Sequence, residues 1–418
     1  MTKIQMDSFK SKFGIAEGNE WNSFLDAKED LELNEFIKNS PFQKARHRKY
    51  NSKTIPVDDI ILITETKIST QNAFGKILDQ YAKNDTEFGN RIITTSPDVS
   101  VSTNLGPWIN KKGLFSRTDS SDTFRDRKIP SAQKWIFSSQ GQHIELGIAE
   151  MNLFLMLGAA GLSHELFGER LFPIGTVYDP FIARGLDAMN YACYQDARFM
   201  IVGTPSGVSL APEGGAHQSI GTPLIGISQP GLLSYEPAFA DELSIIMNYG
   251  FNYLQDENGG SIYLRLTTRS IEQPLREINH ELKKNVIKGG YWLRKPGPNP
   301  EIIIIYQGVV ASEAVEATGM LGERFKDIGV LGITSSDNLF HGWKNKYLSN
   351  EKNNKNSHIE DLLNTIPKDT KIVTVIDGHP MTLSWIGSVF GHKIIPLGVD
   401  KFGQTGSLNQ LFSEFAID

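Results

Sequence analysis

The chain has 418 residues, of which 39% are hydrophobic and 22% are charged, and its formal net charge is -6. This length accommodates two packed domains and an extension, and the slightly acidic balance excludes the basic surface that binding to nucleic acid requires. One cysteine, Cys193, excludes an internal disulfide, and the sequence has no apolar run of about 18 residues to span a bilayer, so we expect a cytoplasmic protein without a membrane partner.

Residues 1–55 are polar and irregularly patterned, and we predict that they form an N-terminal extension. The segment 21–40 is typical of one or two short amphipathic helices, and a basic run follows at Lys44 to Tyr50. The extension is either a docking element or a solvated arm that packs loosely on the body.

The next segment leads to an acid at the start of an apolar helix. An amphipathic helix is predicted over 69–84 and a strand over 91–98, and the stretch Gln142 to Leu162 reads QHIELGIAEMNLFLMLGAAGL. The only polar side chains in its last fifteen residues are Glu150 and Asn152, so we expect a helix that is buried on all sides. Glu150 either complements the partial positive charge of the helix N-terminus or holds a proton for a ligand nitrogen.

Strands and helices continue to alternate after this helix. The pattern predicts strands over 171–179, 198–206 and 261–268 and helices over 180–195 and 237–257. Such alternation implies right-handed crossovers and a mostly parallel sheet covered on both faces, in one domain over 56–275. Ligands of such sheets bind at the carboxyl ends of the strands, where Asp98, Tyr178 and the loop with His217 fall.

A second, smaller alternating unit follows. We predict a linker over 276–300, which ends in the Pro-rich segment LRKPGPNP, and a domain over 301–418. Its predicted elements are strands over 301–308, 327–336 and 371–380 and a helix over 311–325. The expected fold class is therefore α/β, with two doubly wound domains.

Three short motifs follow one another in the larger domain. They are GIAE at Gly147 to Glu150, YDPFIAR at Tyr178 to Arg184 and EGGAHQ at Glu213 to Gln218. In order and approximate spacing they resemble the pyrimidine-binding domain of thiamine-diphosphate enzymes in the transketolase superfamily. Any one of these motifs recurs by chance, whereas three in register form a specific signal.

Within this superfamily the chain is most similar to the single-chain, homodimeric type of pyruvate dehydrogenase first component. The similarity runs from about Ser69 to the C-terminus. It includes TSPDVSVSTN at Thr95 to Asn104, SYEPAFADELSIIM at Ser234 to Met247 and PLGVDKFGQTG at Pro396 to Gly406. The resemblance implies a thiamine pyrimidine-binding domain followed by a smaller transketolase-type C-terminal domain.

The resemblance also implies two catalytic residues. Glu150 matches the acid that hydrogen-bonds a pyrimidine nitrogen of thiamine diphosphate and so recruits the cofactor's own amino group as a base. His217 matches the histidine that faces the reacting carbons and donates to the substrate oxygen. Without the motif around it, a lone loop histidine is more often merely solvated.

Four cofactor-binding residues are implied in the same way. Tyr178 and Phe181 match the aromatic positions that line the pyrimidine ring, and Arg184 matches a polar position beside the same pocket. Asp98 matches an acidic residue near the cofactor and the subunit interface. The alternatives are two ordinary core aromatics, a helix-surface cation and plain turn chemistry at Asp98.

The family's marker for diphosphate binding is missing. By the resemblance, the diphosphate and magnesium are held by a second domain marked by GDG and a downstream Asn, but the sequence has no GDG and its only Asp-Gly pair is Asp377-Gly378. The nine histidines show no ligand-like spacing, so we expect no metal site built by this chain.

The resemblance therefore implies the β-type subunit of a split 2-oxoacid dehydrogenase, with pyruvate as the expected substrate. A complementary subunit would bind the diphosphate and magnesium, and the acyl group would pass to the lipoyl group of an acyltransferase. The expected assembly is a hetero-oligomer.

Two other functions stay open. One is a subunit of a split transketolase, although Thr66 or Lys67 stands where transketolases carry a phosphate-binding arginine. The other is a non-catalytic assembly subunit that has kept the fold. Arg265 and Arg269 stand where family members place anion-binding groups, or they only pair with surface carboxylates.

Overall fold

The computed structural model describes residues 2–22, 30–40, 52–118, 126–130, 135–348 and 355–418. The chain forms two compact units, residues 1–51 and residues 52–418. The first unit contains the helices Lys3–Lys12 and Leu31–Asn39, and neither helix buries a residue. The predicted basic run at 44–50 lies outside the described residues.

The larger sheet has eight strands, all parallel to their neighbours, as predicted. Its strands are β2 (Ile92–Ser96), β3 (Leu114–Phe115), β4 (Phe137–Ser138), β5 (His143–Glu145), β6 (Phe172–Val177), β7 (Met200–Gly203), β8 (Leu232–Tyr235) and β9 (Ser261–Arg265). They lie in the order β4-β3-β5-β2-β6-β7-β9-β8. A separate antiparallel ribbon pairs β1 (Lys67–Ile68) with β10 (Ile271–Glu272).

Helices cover both faces of this sheet. Met200 and Val202 of β7 point into one core, together with Phe74 and Ile246, whereas Ile201 between them points into the other. This alternation is what a parallel strand buried on both faces requires. The helices of this part are Thr70–Lys83, Glu87–Arg91, Gly106–Lys112, Glu150–Gly161, Ser163–Phe167, Leu186–Tyr194, Thr222–Ser228 and Ala240–Tyr253.

The second sheet has five strands in the order β11-β13-β12-β14-β15. They are β11 (Gly290–Arg294), β12 (Ile302–Gln307), β13 (Gly329–Ile333), β14 (Lys371–Ile376) and β15 (Ile394–Leu397), and only β11 runs antiparallel to its neighbour. Two cores cover its faces. Its helices are His280–Lys288, Ala311–Leu321, Ser336–Leu348, His358–Leu363, Met381–Ser384 and Leu408–Glu414. The α/β, doubly wound fold class is thus confirmed.

Several elements differ from the sequence predictions. The predicted linker 276–300 contains the helix His280–Lys288 and strand β11, which runs into the Pro-rich segment 293–300. The predicted helix 180–195 is an α-helix only from Leu186, because its first part, Asp179–Gly185, is a 3-10 turn. The domain boundaries at 275 and 301 stay predictions.

The prediction that the Glu150 helix (Glu150–Gly161) is buried on all sides is wrong for this chain. Leu153, Phe154 and Leu157 are buried, but Met151 is 41% and Leu155 58% exposed. An apolar composition shows that a face avoids water, but it does not show which chain covers that face.

The structure has no helix within its described ranges that is long and apolar enough to cross a bilayer.

A buried carboxylate joins the two sheet-bearing parts. Asp337, at the start of the helix Ser336–Leu348, accepts a hydrogen bond from the Ser234 amide of β8 at 2.8 Å, and His341 lies 3.4 Å away. Burial raises the pKa of Asp337 to about 6. The folded chain therefore keeps a proton between pH 4 and 6 that the unfolded chain releases, and this group makes the free energy of unfolding fall as pH rises through that window.

We expect Asp337→Asn to remove this contribution, because an amide is neutral at every pH and still accepts from Ser234. A shift of about two pKa units corresponds to ~3 kcal/mol at most, so the variant gains stability relative to wild type at pH 7 and not at pH 4. Urea unfolding at both pH values measures the difference, with the exposed Asp369→Asn as control. Equal pH dependence in wild type and Asp337→Asn would contradict the assignment.

Candidate active site

Parallel strands bring the predicted site residues to one edge of the larger sheet. Neighbouring strands β2, β6 and β7 end in the same direction, so the residues that follow them meet there. Asp98 follows β2, Tyr178 follows β6, and the loop with His217 follows β7. The Glu150 helix begins five residues after β5 at the same edge.

Three aromatic rings form a cluster at this edge, which we call the ring cluster: Tyr178, Phe181 and His217. The rings of Tyr178 and Phe181 are nearly parallel, with centroids 6.0 Å apart. The His217 imidazole stands edge-on to both, at 5.4 Å from Phe181 and 6.1 Å from Tyr178. The cluster presents flat apolar faces and one titratable ring side by side.

The His217 loop is held by the C-terminal segment. A Cβ on Gly215 would lie 2.1 Å from the carbonyl oxygen of Gly403, so only glycine permits this approach. Gln218 donates a hydrogen bond to the carbonyl of Gln404 at 3.0 Å. The EGGAHQ and KFGQTG motifs therefore pack against each other.

His217 has an unsatisfied nitrogen. Its Nδ1 is buried and finds no hydrogen-bond partner within the part of the chain that the structure describes. Buried polar atoms are nearly always paired, so an unpaired one at a sheet edge marks a place for a ligand or a water.

Glu150 joins this group through Arg184. The Glu150 side chain is 12% exposed, and Arg184 donates a hydrogen bond to its carboxylate. The same guanidinium lies 3.9 Å above the centroid of the Phe181 ring. Arg184 therefore occupies the space between Glu150 and Phe181, and its side chain is half exposed.

The structure thus brings five of the six predicted residues into one chain of contacts: Glu150, Arg184, Phe181, Tyr178 and His217. Their roles stay predictions.

Asp98, the sixth, belongs to a different contact set at the same edge. Its backbone φ is +64°, and its amide donates to Glu145 at 2.8 Å while its own side chain is exposed. Burial alone would raise the pKa of Glu145, but hydrogen bonds from His143 and Ser100 hold it below its ordinary value. The described contacts of Asp98 do not include the ring cluster.

A buried charge network that the motifs did not predict lies behind the ring cluster. Asp179 is fully buried and accepts from Arg265 Nε at 2.9 Å, and Arg265 also donates to the buried Glu236. The available signal was Arg265 itself, because an arginine inside an otherwise apolar strand requires a buried carboxylate nearby.

Arg265 and Arg269 are both paired with carboxylates, but these carboxylates are buried or largely buried and not on the surface, as the alternative had it. Arg269 makes a bidentate pair with Glu313, one contact of which measures 3.0 Å, and it lies over the ring of Phe412.

Asp377 of the single Asp-Gly pair accepts hydrogen bonds from the amides of Val208 at 2.8 Å and Ser209 at 3.1 Å. Asp377 thereby caps the 3-10 turn that precedes the His217 loop.

A cavity of about 720 Å³ lies beside the ring cluster. Its walls are largely apolar and include Pro180, Ala183, Ala216, Ile225 and Phe402. This volume is in the range of small-molecule sites in proteins.

The comparisons with known proteins agree with this geometry. The family model described as "Pyruvate dehydrogenase E1 component middle domain" matches residues 61–274, about half of the chain. The chain belongs to this family. The resemblance read from the three motifs is therefore confirmed.

The curated relatives share the name pyruvate dehydrogenase E1 component. The protein from Mycolicibacterium smegmatis is 27% identical over 61% of this chain and 27% of its own length. The one from Pseudomonas aeruginosa is 24% identical over 89% of this chain and 43% of its own length. The chain spans less than half the length of these relatives.

Solved structures show the same fold. Transketolase from Campylobacter jejuni matches 93% of this chain and 50% of its own with a TM-score of 0.64 at 16% identity. A structure described as "Split gene transketolase, inactive beta4 tetramer" matches 84% of this chain and 94% of its own with a TM-score of 0.54 at 18% identity. At these identities the likeness concerns the fold alone.

The single cysteine lies in the helix that packs against the Glu150 helix. Burial raises the pKa of Cys193 to about 12, so the reactive thiolate is scarce at neutral pH. We expect no reaction with Ellman's reagent at pH 8 in the folded chain and one equivalent after denaturation. Rapid labelling of the folded chain would show that Cys193 is not a core residue.

Proposed function

We propose that this chain is the pyrimidine-side, β-type subunit of a thiamine-diphosphate-dependent 2-oxoacid dehydrogenase, with pyruvate as its substrate. The observation that carries the proposal is the contact chain from Glu150 through Arg184 and Phe181 to His217 at the carboxyl edge of the sheet. Membership of the pyruvate dehydrogenase E1 middle-domain family supports it.

The residues present fit this cofactor. Glu150 offers a largely enclosed carboxyl for a ring nitrogen, and the Tyr178 and Phe181 rings offer faces for stacking, worth ~0.5–1.5 kcal/mol beyond burial. The unpaired Nδ1 of His217 indicates that a further polar group binds at this edge of the sheet. Bound thiamine diphosphate supplies a nucleophilic carbon and an electron sink for decarboxylation.

Each side chain then has a defined task. Arg184 would have to leave Glu150, and the Glu150 carboxyl would then hold a ring nitrogen of the heterocycle by a hydrogen bond in place of the guanidinium. His217 donates a hydrogen bond to the substrate oxygen as negative charge develops there.

A partner is proposed from the exposed apolar face of the Glu150 helix. Met151 and Leu155 share one face of the helix and are exposed, as is Ile148 just before it, and Tyr191 and Tyr194 of the adjacent helix Leu186–Tyr194 are exposed as well. Apolar surface of this extent beside a site marks a protein interface. We propose that the complementary subunit covers it, binds the diphosphate and magnesium, and forms a cytoplasmic hetero-oligomer that serves a lipoyl acyltransferase.

The first test is Glu150→Gln in the reconstituted pair, made with a chain that carries GDG and a downstream Asn. An amide cannot hold the proton, so we expect pyruvate turnover to fall by at least ~10²-fold, with Glu165→Gln as control. Glu165 is an exposed acid in the next helix. Turnover equal to wild type would contradict the role of Glu150.

The same assay separates the alternative functions. Turnover of xylulose phosphate but not pyruvate would identify a transketolase, and no gain in thiamine diphosphate binding on mixing would identify an assembly subunit. Full activity of the isolated chain would exclude the split enzyme.

The second test concerns the interface. We expect Leu155→Asp to abolish association with the complementary subunit, because a carboxylate would be buried without a partner. Co-purification measures the association, and Leu275→Asp is the control because Leu275 is fully exposed elsewhere. Undiminished association of Leu155→Asp would place the interface on another surface.

A further inference from the structure

The Asp179 side chain accepts four hydrogen bonds beside the ring cluster. It lies between Tyr178 and Phe181 in sequence, and it is completely buried. Oδ1 accepts from the hydroxyl of Tyr263. Oδ2 accepts from the Ser219 hydroxyl, from the Thr222 hydroxyl at 2.5 Å and from Arg265 Nε at 2.9 Å.

These bonds connect the two halves of the ring cluster. Tyr178 and Phe181 flank Asp179 on the 3-10 turn, and Ser219 is two residues from His217 on the facing loop. One carboxylate therefore fixes the distance between the aromatic pair and the imidazole. The space around it is tight, since a Cβ on Gly203 would lie 2.3 Å from Asp179 Oδ1.

Arg265 connects Asp179 to the second sheet through hydrogen bonds. Arg265 is 2% exposed and also donates to Glu236, which accepts from Gln307 of β12 at 2.9 Å. Burial raises the pKa of Glu236, because its charged form loses hydration. This cost offsets part of the attraction between Glu236 and Arg265. The network therefore spans from the ring cluster to the end of β12.

A stabilising role alone does not explain this arrangement. Buried ion pairs cost desolvation that apolar residues of similar volume would avoid, and replacing them is often neutral or stabilising. What the network provides is a single geometry, because Oδ1 of Asp179 accepts from strand β9, and Oδ2 accepts from β9 and from the loop that carries Ser219.

We propose that Asp179 is a positioning residue that holds the Tyr178–Phe181 turn and the His217 loop in register from the second sheet. The expected effect on turnover rests on the proposed function, whereas the expected effect on the position of the His217 ring does not.

The test follows the His217 imidazole by NMR in the full chain. The edges of that ring face two aromatic rings, so its proton signals are displaced by ring currents, and comparison with His217→Gln assigns them. We expect Asp179→Asn to move the His217 signals toward their positions in the unfolded chain. Tyr263→Phe removes one donor without changing shape and should move them less in the same direction.

Glu360→Gln is the matched control for loss of a buried carboxylate. Glu360 is 3% exposed and accepts from Lys346 and Ser357 in the second sheet's helices. It should lower thermal stability and leave the His217 signals in place. His217 signals that stay fixed in Asp179→Asn and Tyr263→Phe, or that move equally in Glu360→Gln, would overturn the proposal, and Tyr263→Phe decides alone if Asp179→Asn does not fold.

Turnover of the reconstituted pair provides the second measurement. Misplacement of reacting groups by about 1 Å costs ~10²-fold, so kcat of Asp179→Asn should fall by up to that factor while KM changes little. Moved His217 signals with unchanged turnover would support the positioning geometry and contradict the catalytic role of His217. The two proposals can therefore fail separately.

Discussion

The parallel direction of β2, β6 and β7 is the constraint on which the rest of the site depends. Because these strands are neighbours and end at one edge, the residues that follow β6 and β7 emerge within contact distance of one another although almost forty residues separate them in sequence. The Glu150 helix enters at the same edge from β5. No single segment carries the site, and the sheet order brings its parts together.

Much of the larger sheet could be predicted because its strands are apolar runs separated by amphipathic helices. The helix that follows Ser69 also has a readable start, since the Ser69 hydroxyl accepts from the Asn72 amide. Strands β3, β4 and β5 have two or three residues each, which is too few for any periodicity. Their positions depend on pairing with distant strands.

The site residues that lie within the three motifs could be predicted from the sequence. Three motifs supplied the five residues that the structure joins, whereas Asp98 follows the same edge but contacts Glu145 instead. The Asp179 and Arg265 pair joins residues 86 apart, and only the folded sheet shows that their charges meet. The exposed face of the Glu150 helix was misread for a related reason, since hydrophobicity does not identify the covering chain.

The Arg184 side chain affects how ligand binding at the site depends on ionic strength. In the described structure it serves as the counterion of Glu150 and covers the Phe181 face, so an incoming heterocycle competes with an internal cation for the same two surfaces. Dissolved ions screen a half-exposed pair of this kind. If the proposed ligand displaces Arg184, ionic strength weakens this internal competitor, so binding at the pyrimidine position loses less affinity with salt than binding of the charged diphosphate does.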